Sequence, residues 1–216
     1  MRPGGPPPWA VLAPGRRVVD LAALPARLAG MGDLHVIDGP VPIASPRQSA
    51  VLAPLYDGDQ GPTVVLTRRA AHLRNHRGEV SFPGGRQEDH DPDLVATALR
   101  EAHEEIRLEP SSVEVIGELD RLSTFTSQSM VHPFVGVLPG RPVDLVADPG
   151  EVEHILHVPL ADLLDPEAFH EEIWRFPDGN DRSLTFFEIV GDTIWGATAR
   201  MLRQLLAVAL DLDPRG

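Results

Sequence analysis

The chain has 216 residues, 42% of them hydrophobic, and a net charge of −13 at neutral pH, which suits one domain with a full core and argues against a nucleic-acid partner, since that wants a basic surface. Cysteine is absent, which excludes disulfides, a thiolate nucleophile and a zinc–thiolate site. Lysine is absent too, all 19 basic residues being arginine, which excludes a P-loop lysine and Schiff-base chemistry.

Residues 1–15 are rich in Pro and Gly, and the expectation is a flexible segment or one laid loosely on the surface. Residues 18–29 read as a short helix limited by Pro25. Residues 49–56 and 63–67 read as two strands around a turn over 57–62. Residues 68–81 read as a loop lying over the site. The spacing predicts a helix from Asp93 to about Leu108, with Asp91 or Asp93 as N-cap. Further strands are expected over 113–122, 131–138, 155–158 and 185–190, a turn of helix over 159–164, and an amphipathic helix over 194–210. No internal repeat is visible. Mixed strands with two main helices suggest an α/β/α sandwich. An N-terminal extension over 1–45 would precede a main domain over 46–216. No apolar run reaches 18 residues, and the N-terminal apolar stretch is too short for a signal peptide, so the chain reads as cytoplasmic with no membrane partner.

The chemistry concentrates in residues 82–108. The turn Gly84-Gly85 leads into a helix carrying Arg100-Glu101-Ala102-His103-Glu104-Glu105. Residues three and four apart share a helix face, so Glu101, Glu104 and Glu105 are neighbours whose charges repel. Hard divalent cations such as Mg²⁺ or Mn²⁺ prefer oxygen ligands and would relieve that repulsion. The solvated helix face is the plainer reading of an acidic triplet, but the preceding glycines and Arg100 weigh against it. Upstream, Arg68, Arg69, Arg74 and Arg77 form a local basic patch in an acidic chain, and arginine makes planar bidentate contacts with phosphate.

Residues 85–108 resemble the signature of the Nudix hydrolases. Arg100, Glu101, Glu104, Glu105 and the apolar Leu108 stand at signature positions. Two departures occur. The stretch from Gly85 to Arg100 is one residue longer, so the signature's early glutamate falls on Pro92, next to Asp91. Arg107 stands where the signature has glycine, a position that caps the helix in left-handed geometry. Residues 65–85, with Leu66-Thr67, Arg69-Ala70, Arg74, Gly78 and Phe82-Pro83-Gly84-Gly85, resemble the extra motif of the coenzyme A pyrophosphatase branch, Val65 replacing its first leucine.

The resemblance implies the Nudix fold, a mixed sheet between helices. It also implies metal-dependent hydrolysis of coenzyme A, or a derivative, to adenosine 3′,5′-bisphosphate and 4′-phosphopantetheine. Glu101, Glu104 and Glu105 would hold Mg²⁺ or Mn²⁺, aided by the backbone carbonyl of Gly84 or Gly85. Arg100 would orient the glutamates. Arg69 and Arg74 would hold phosphate oxygens, with Gly78 and Phe82 as further substrate-side positions. An acidic residue from a downstream loop is common in such enzymes, and Glu151 is favoured over Glu153 for it; the general base stays open between Glu101, Glu151 and Glu153. Two alternatives are a diphosphatase for another nucleoside diphosphate such as ADP-ribose, and a ligand-sensing module without catalysis. A monomer or homodimer is expected.

Weaker signals carry less. Asp89, Asp91 and Asp93 have the spacing that opens an EF-hand loop, but Leu94 and Arg100 stand where its glycine and its bidentate glutamate belong. His72 and His76 sit four apart without a following acidic ligand. His103 is at a variable position and is expected to face away from the glutamates. No Gly-x-Ser-x-Gly elbow occurs.

Overall fold

The computed structural model describes residues 2–37, 46–73, 76–124, 128–176 and 179–215. In chain order the elements are β1 (Arg2–Pro3), α1 (Leu24–Ala29), β2 (Val36–Ile37), β3 (Arg47–Gly58), β4 (Gly61–Arg69), β5 (Val80–Ser81), β6 (Gly84–Arg86) and α2 (Leu94–Ile106). There follow β7 (Glu114–Glu118), β8 (Arg121–Thr124), β9 (Ser129–Val137), β10 (Val152–Pro159), α3 (Leu160–Leu163), β11 (Phe169–Arg175), β12 (Asp181–Ile189), β13 (Asp192–Trp195) and α4 (Gly196–Ala209).

The larger sheet runs in the order β10-β4-β3-β9-β8-β2, with β5 added on β4, β6 on β3 and β7 on β9. It is mixed: β3 pairs parallel with β9, and antiparallel with β4 and β6. Alternation along β3 sends its apolar side chains to two cores. Ala50, Leu52 and Tyr56 pack with Ala98, Ala102 and Ile106 of α2. Ala53 and Leu55 pack in the second core with Leu202, Leu205 and Leu206 of α4 and Phe187 of β12. The sheet is thus sandwiched between helices, the α/β/α arrangement expected. The second layer also holds a smaller sheet, order β1-β11-β12-β13, whose strands β11 and β13 the sequence pattern did not reveal.

Several boundaries differ from the sequence expectation for local reasons. The β3–β4 hairpin closes on Asp59-Gln60, with Gly58 opposite Gly61, because Asp57 and Pro62 still pair across the ladder. β4 continues to Arg69 and β5 pairs back onto Thr67 and Arg68, so both ends of the expected loop over 68–81 are strand. Pro25 lies in the first turn of α1, where its missing N–H costs nothing; it starts the helix rather than limiting it. Residues 113–122 divide into β7 and β8 around Leu119 and Asp120. Ile194 and Trp195 belong to β13, which delays the start of α4.

The N-terminal segment is not loosely laid. Trp9 is fully buried, stacked with Phe187 at 6.1 Å and edge-on to Phe169 at 5.4 Å. Burying an aromatic ring of this size contributes on the order of 3 kcal/mol. Val19, Leu21, Leu24 and Leu28 join the same core, and the Gly4 N–H donates to the Glu171 carbonyl at 2.7 Å. The segment forms β1 and two 3-10 turns, Pro8–Val11 and Pro14–Arg16, and Trp9 together with these apolar residues ties it to the core.

Candidate active site

The site is assembled at the open end of the larger sheet, where β4 and β3 part and β5 and β6 fill in on either side. α2 begins there. Asp93 caps it, its Oδ1 accepting the Ala96 N–H at 2.8 Å. Asp91, the other candidate cap, does something else. It accepts Arg100 Nε at 2.9 Å and Nη2 at 3.0 Å, together with the Thr97 hydroxyl and the Glu88 N–H. Bidentate contact with Arg100 is the main reason that its carboxyl is held well below the usual carboxylate range. The extra residue after Gly85 therefore brings Asp91, rather than Pro92, against the arginine.

Arg100 is the hub of this end of the helix. Besides Asp91, its guanidinium donates to Glu104 at 2.9 Å, to Glu101 at 3.1 Å and to the Arg86 carbonyl at 3.0 Å. These contacts hold the Glu101 and Glu104 carboxylates beside the guanidinium. The Glu101 carboxylate rests against Gly85, while at Gly84, whose φ is 156°, any Cβ would collide with the backbone of Ala50 and Val51, so glycine is required there by close approach. Gly78 is required for a different reason: its φ of 71° is left-handed, and its N–H donates to the Arg69 carbonyl at 3.0 Å. It shapes the loop.

Glu105 differs from its partners. It is 4% exposed, and its Oε2 has no hydrogen-bond partner among the described residues. Burial is the main influence that pushes its carboxyl up to about 8; Glu151 and Glu101 add to this, while Arg69 opposes it. Glu101 is also raised, first by burial, then by Glu104 and Glu151, against the pull of Arg100. Glu151 thus lies close enough for its charge to act on both Glu101 and Glu105. The register explains how: β10 pairs Val152 with Arg69, and the Ala70 N–H donates to the Glu151 carbonyl at 2.8 Å. Glu153 points elsewhere, to Arg68 at 3.5 Å.

A buried, partly unpartnered carboxyl beside two further carboxylates fits a divalent cation, which would replace the missing hydrogen bonds and offset the repulsion. Among the described residues no three acidic or histidine side chains already converge as a metal-binding group, because Arg100 draws Glu101 and Glu104 to itself.

The arginines divide by strand alternation. Arg68 lies on one face of β4, its Nη1 donating to both carboxylate oxygens of Asp192 at 3.1 and 3.3 Å. Arg69 lies on the other, where its charge acts on Glu105 and its Nε is buried without a hydrogen-bond partner among the described residues. Arg74 lies outside the described residues. Phe82 requires a correction: it is 2% exposed and part of the core beneath the turn, so it anchors Pro83-Gly84-Gly85 from below and does not face a substrate. His72 Nε2 meets the Gly150 carbonyl at 3.3 Å, His76 Nδ1 meets Glu79 at 2.8 Å, and His103 Nδ1 meets the Leu108 carbonyl at 3.2 Å, away from the glutamates.

One constellation escaped sequence reading. His132 on β9 sits beside Ala50, which itself pairs with Gly85. Its Nδ1 lies 2.9 Å from Glu118 and its Nε2 2.9 Å from Gln48. These residues come from three strands, and no spacing in the chain links them.

The chain is similar to known proteins of one family. The family model described as the NUDIX domain matches residues 46–178. A protein of Escherichia fergusonii named as an uncharacterized Nudix hydrolase, NudL, is 41% identical over 169 residues, 78% of this chain and 85% of its own. Its namesake in Escherichia coli O7:K1 is 40% identical over the same shares. A solved Nudix hydrolase from Alicyclobacillus acidocaldarius aligns at 19% identity with a TM-score of 0.48, over 79% of this chain and 97% of that one.

Proposed function

This chain belongs to the Nudix hydrolase family, and from that premise we propose that it hydrolyses the pyrophosphate bond of coenzyme A or a derivative, releasing adenosine 3′,5′-bisphosphate and 4′-phosphopantetheine. Nudix hydrolases generally use divalent metals such as Mg²⁺. Glu101, Glu104 and Glu105 would hold the cation, with a carbonyl of Gly84 or Gly85. When bound, it neutralises charge on the phosphates and makes water easier to deprotonate.

The observation that carries this reading is a convergence. Arg69 from the coenzyme A-type motif and Glu151 from a distant loop both act on the charge of Glu105 from the helix motif, and the register of β10 on β4 sets Val152 opposite Arg69. Water attacks one phosphorus, the bridging P–O bond breaks, and the leaving phosphate departs with the bridging oxygen. Arg69 would hold non-bridging oxygens and stabilise charge that builds in the transition state. Arg74 takes the same task by its motif position. Glu151 is the preferred proton acceptor, since Glu105 is committed to the cation and Glu101 to Arg100. Arg100, pinned by Asp91, orients Glu101 and Glu104.

The test is a hydrolysis assay with Mg²⁺ or Mn²⁺ on coenzyme A and ADP-ribose side by side, with chromatographic separation of products. Appearance of adenosine 3′,5′-bisphosphate while ADP-ribose is spared supports the reading. Cleavage of ADP-ribose alone would keep the glutamate helix as the catalytic element and remove the substrate assignment. Among the described residues no helix is long and apolar enough to cross a membrane, which suits a small-molecule substrate in solution.

A further inference from the structure

Across β4 from the glutamates lies a cleft of about 510 Å³, walled on one side by Arg77, Gly78 and Glu79 and on the other by Trp174, Phe186 and Trp195. Its size is that of a small-molecule site. Two of the chain's three tryptophans stand here, 40% and 44% exposed, whereas the third, Trp9, is fully buried. Two large exposed rings in one cleft make a patch rather than scattered surface residues, and nothing in the core requires them: Phe169 of β11 and Ile194 of β13, on the opposite face of the same strands, supply the packing.

The cleft is built rather than incidental. Trp195 and Phe186 are cross-strand partners, so their rings share one face of the smaller sheet. Phe186 is held by stacking on His170 at 4.8 Å. Trp174 Nε1 donates to Glu172 at 2.6 Å, which sets the indole orientation. Asp192, on the cleft floor, is fixed by Arg68. The opposite wall belongs to the motif loop itself. The Gly78 N–H donates to the Arg69 carbonyl, and the Arg69 N–H to the Glu79 carbonyl, each at 3.0 Å. The strand that sends Arg69 toward Glu105 thus carries the cleft wall on its other side.

We propose that this cleft is the subsite for a planar nucleobase joined to phosphate, namely the adenine 3′-phosphate end of the substrate, with Trp195 and Trp174 stacking the base and Arg77 facing the phosphate. The inference rests on the coenzyme A reading for the identity of the ligand. It is carried by the cleft's chemistry: exposed π faces accept any planar base, Arg77 complements phosphate, and the loop hydrogen bonds join it to the hydrolytic centre. The flexible amide chain at the other end of coenzyme A offers no ring to stack.

The test is tryptophan fluorescence of the full chain titrated with adenosine 3′,5′-bisphosphate, and separately with 4′-phosphopantetheine, without added metal. The expected result is saturable quenching by the first and none by the second. Trp195→Leu should weaken binding of the bisphosphate and raise KM for coenzyme A roughly 5- to 100-fold, the range of one lost base–aromatic stack, with kcat changed less than about twofold. Trp195→Phe should restore most of the affinity, and circular dichroism should show both variants folded. No quenching by the bisphosphate in a protein that hydrolyses coenzyme A would overturn the subsite and leave the function standing. Quenching that persists in a Trp174→Leu, Trp195→Leu double variant would also overturn it, since only Trp9 would remain to respond. A cleft that binds the bisphosphate in a protein inert toward coenzyme A would uphold the subsite and sink the function. Concentration-dependent self-association that the double variant abolishes, with KM unchanged, would assign the tryptophans to a second copy of the chain and overturn the proposal.

Discussion

Two buried carboxyls, Glu105 and Asp120, show how the same chemical group is used in opposite ways. They are 4% and 1% exposed, respectively. Every oxygen of Asp120 is satisfied. It accepts the His35 N–H at 2.9 Å, Gln204 Nε2 at 2.7 Å, and Arg215 Nε and Nη2 at 2.9 and 3.0 Å. Burial, the largest single influence, pushes its carboxyl up, but the bonds from Arg215, His35 and Gln204 together outweigh it and leave the group lowered. Glu105 has an oxygen without a partner among the described residues, two carboxylates nearby and a carboxyl raised to about 8. A carboxylate that finishes its hydrogen bonds joins distant parts of the chain, here β2's approach, α4 and the C-terminal residues. One left unfinished is costly to the fold and available to a cation.

The contrast breaks most sharply if Glu105 turns out to be structural. Glu105→Gln should lower kcat at saturating Mg²⁺ by at least about 100-fold while leaving the unfolding temperature unchanged or slightly higher, because a buried carboxyl raised to about 8 must take up a proton to fold at neutral pH and the amide need not. Steady-state kinetics beside thermal unfolding measures both, and a fall in stability with kinetics intact would reverse the assignment. Asp120→Ala should do the opposite: a loss of about 3 kcal/mol in urea unfolding, from a buried Gln204 and an exposed Arg215 left without their acceptor, with unchanged kcat for the folded fraction.

The pH response sharpens the same point. Because the Asp120 carboxyl is lowered on folding, its stabilisation is present above the unfolded carboxylate range, near 4. It is lost as the pH falls below that toward the folded value. Urea midpoints measured between pH 6 and pH 3 should therefore fall more steeply in the parent protein than in Asp120→Asn, and parallel curves would remove Asp120 from the acid response. The smallest effect concerns Arg107. It caps α2 with φ 57°, its N–H reaching the carbonyls of Ala102 and His103, a left-handed conformation that costs a side chain roughly 1 kcal/mol. Arg107→Gly should raise stability by about that amount with no effect on turnover; a destabilised variant would show that the arginine side chain contributes something beyond its backbone.

The two carboxyls also differ in how far they could be read from the chain. Glu101, Glu104 and Glu105 lie within one helical turn and a half, so their shared face follows from helix geometry alone, and the turn Gly84-Gly85 precedes them at fixed spacing. Strand alternation likewise separates Arg68 from Arg69 once β4 is known to continue through them. Both are consequences of local periodicity, and the lack of cysteine and lysine removed whole classes of chemistry without any structure.

What only the tertiary structure decided involves residues far apart in the chain. Asp91 rather than Pro92 meets Arg100 because the loop before α2 folds back by one residue. Glu151 rather than Glu153 faces the glutamates because of β10's register on Arg69. Asp120 finds Gln204 and Arg215 across the core, and Phe82 turns inward under the Gly-Gly turn. The tryptophans of β11 and β13 come to face the motif loop only through sheet pairing, in strands whose alternation was too irregular to announce them. Local spacing is set by backbone geometry, which the chain carries in its order of residues. Burial, partner choice and the shift of a carboxyl's affinity for protons depend on which side chains are brought together, and that is settled only when the sheet closes.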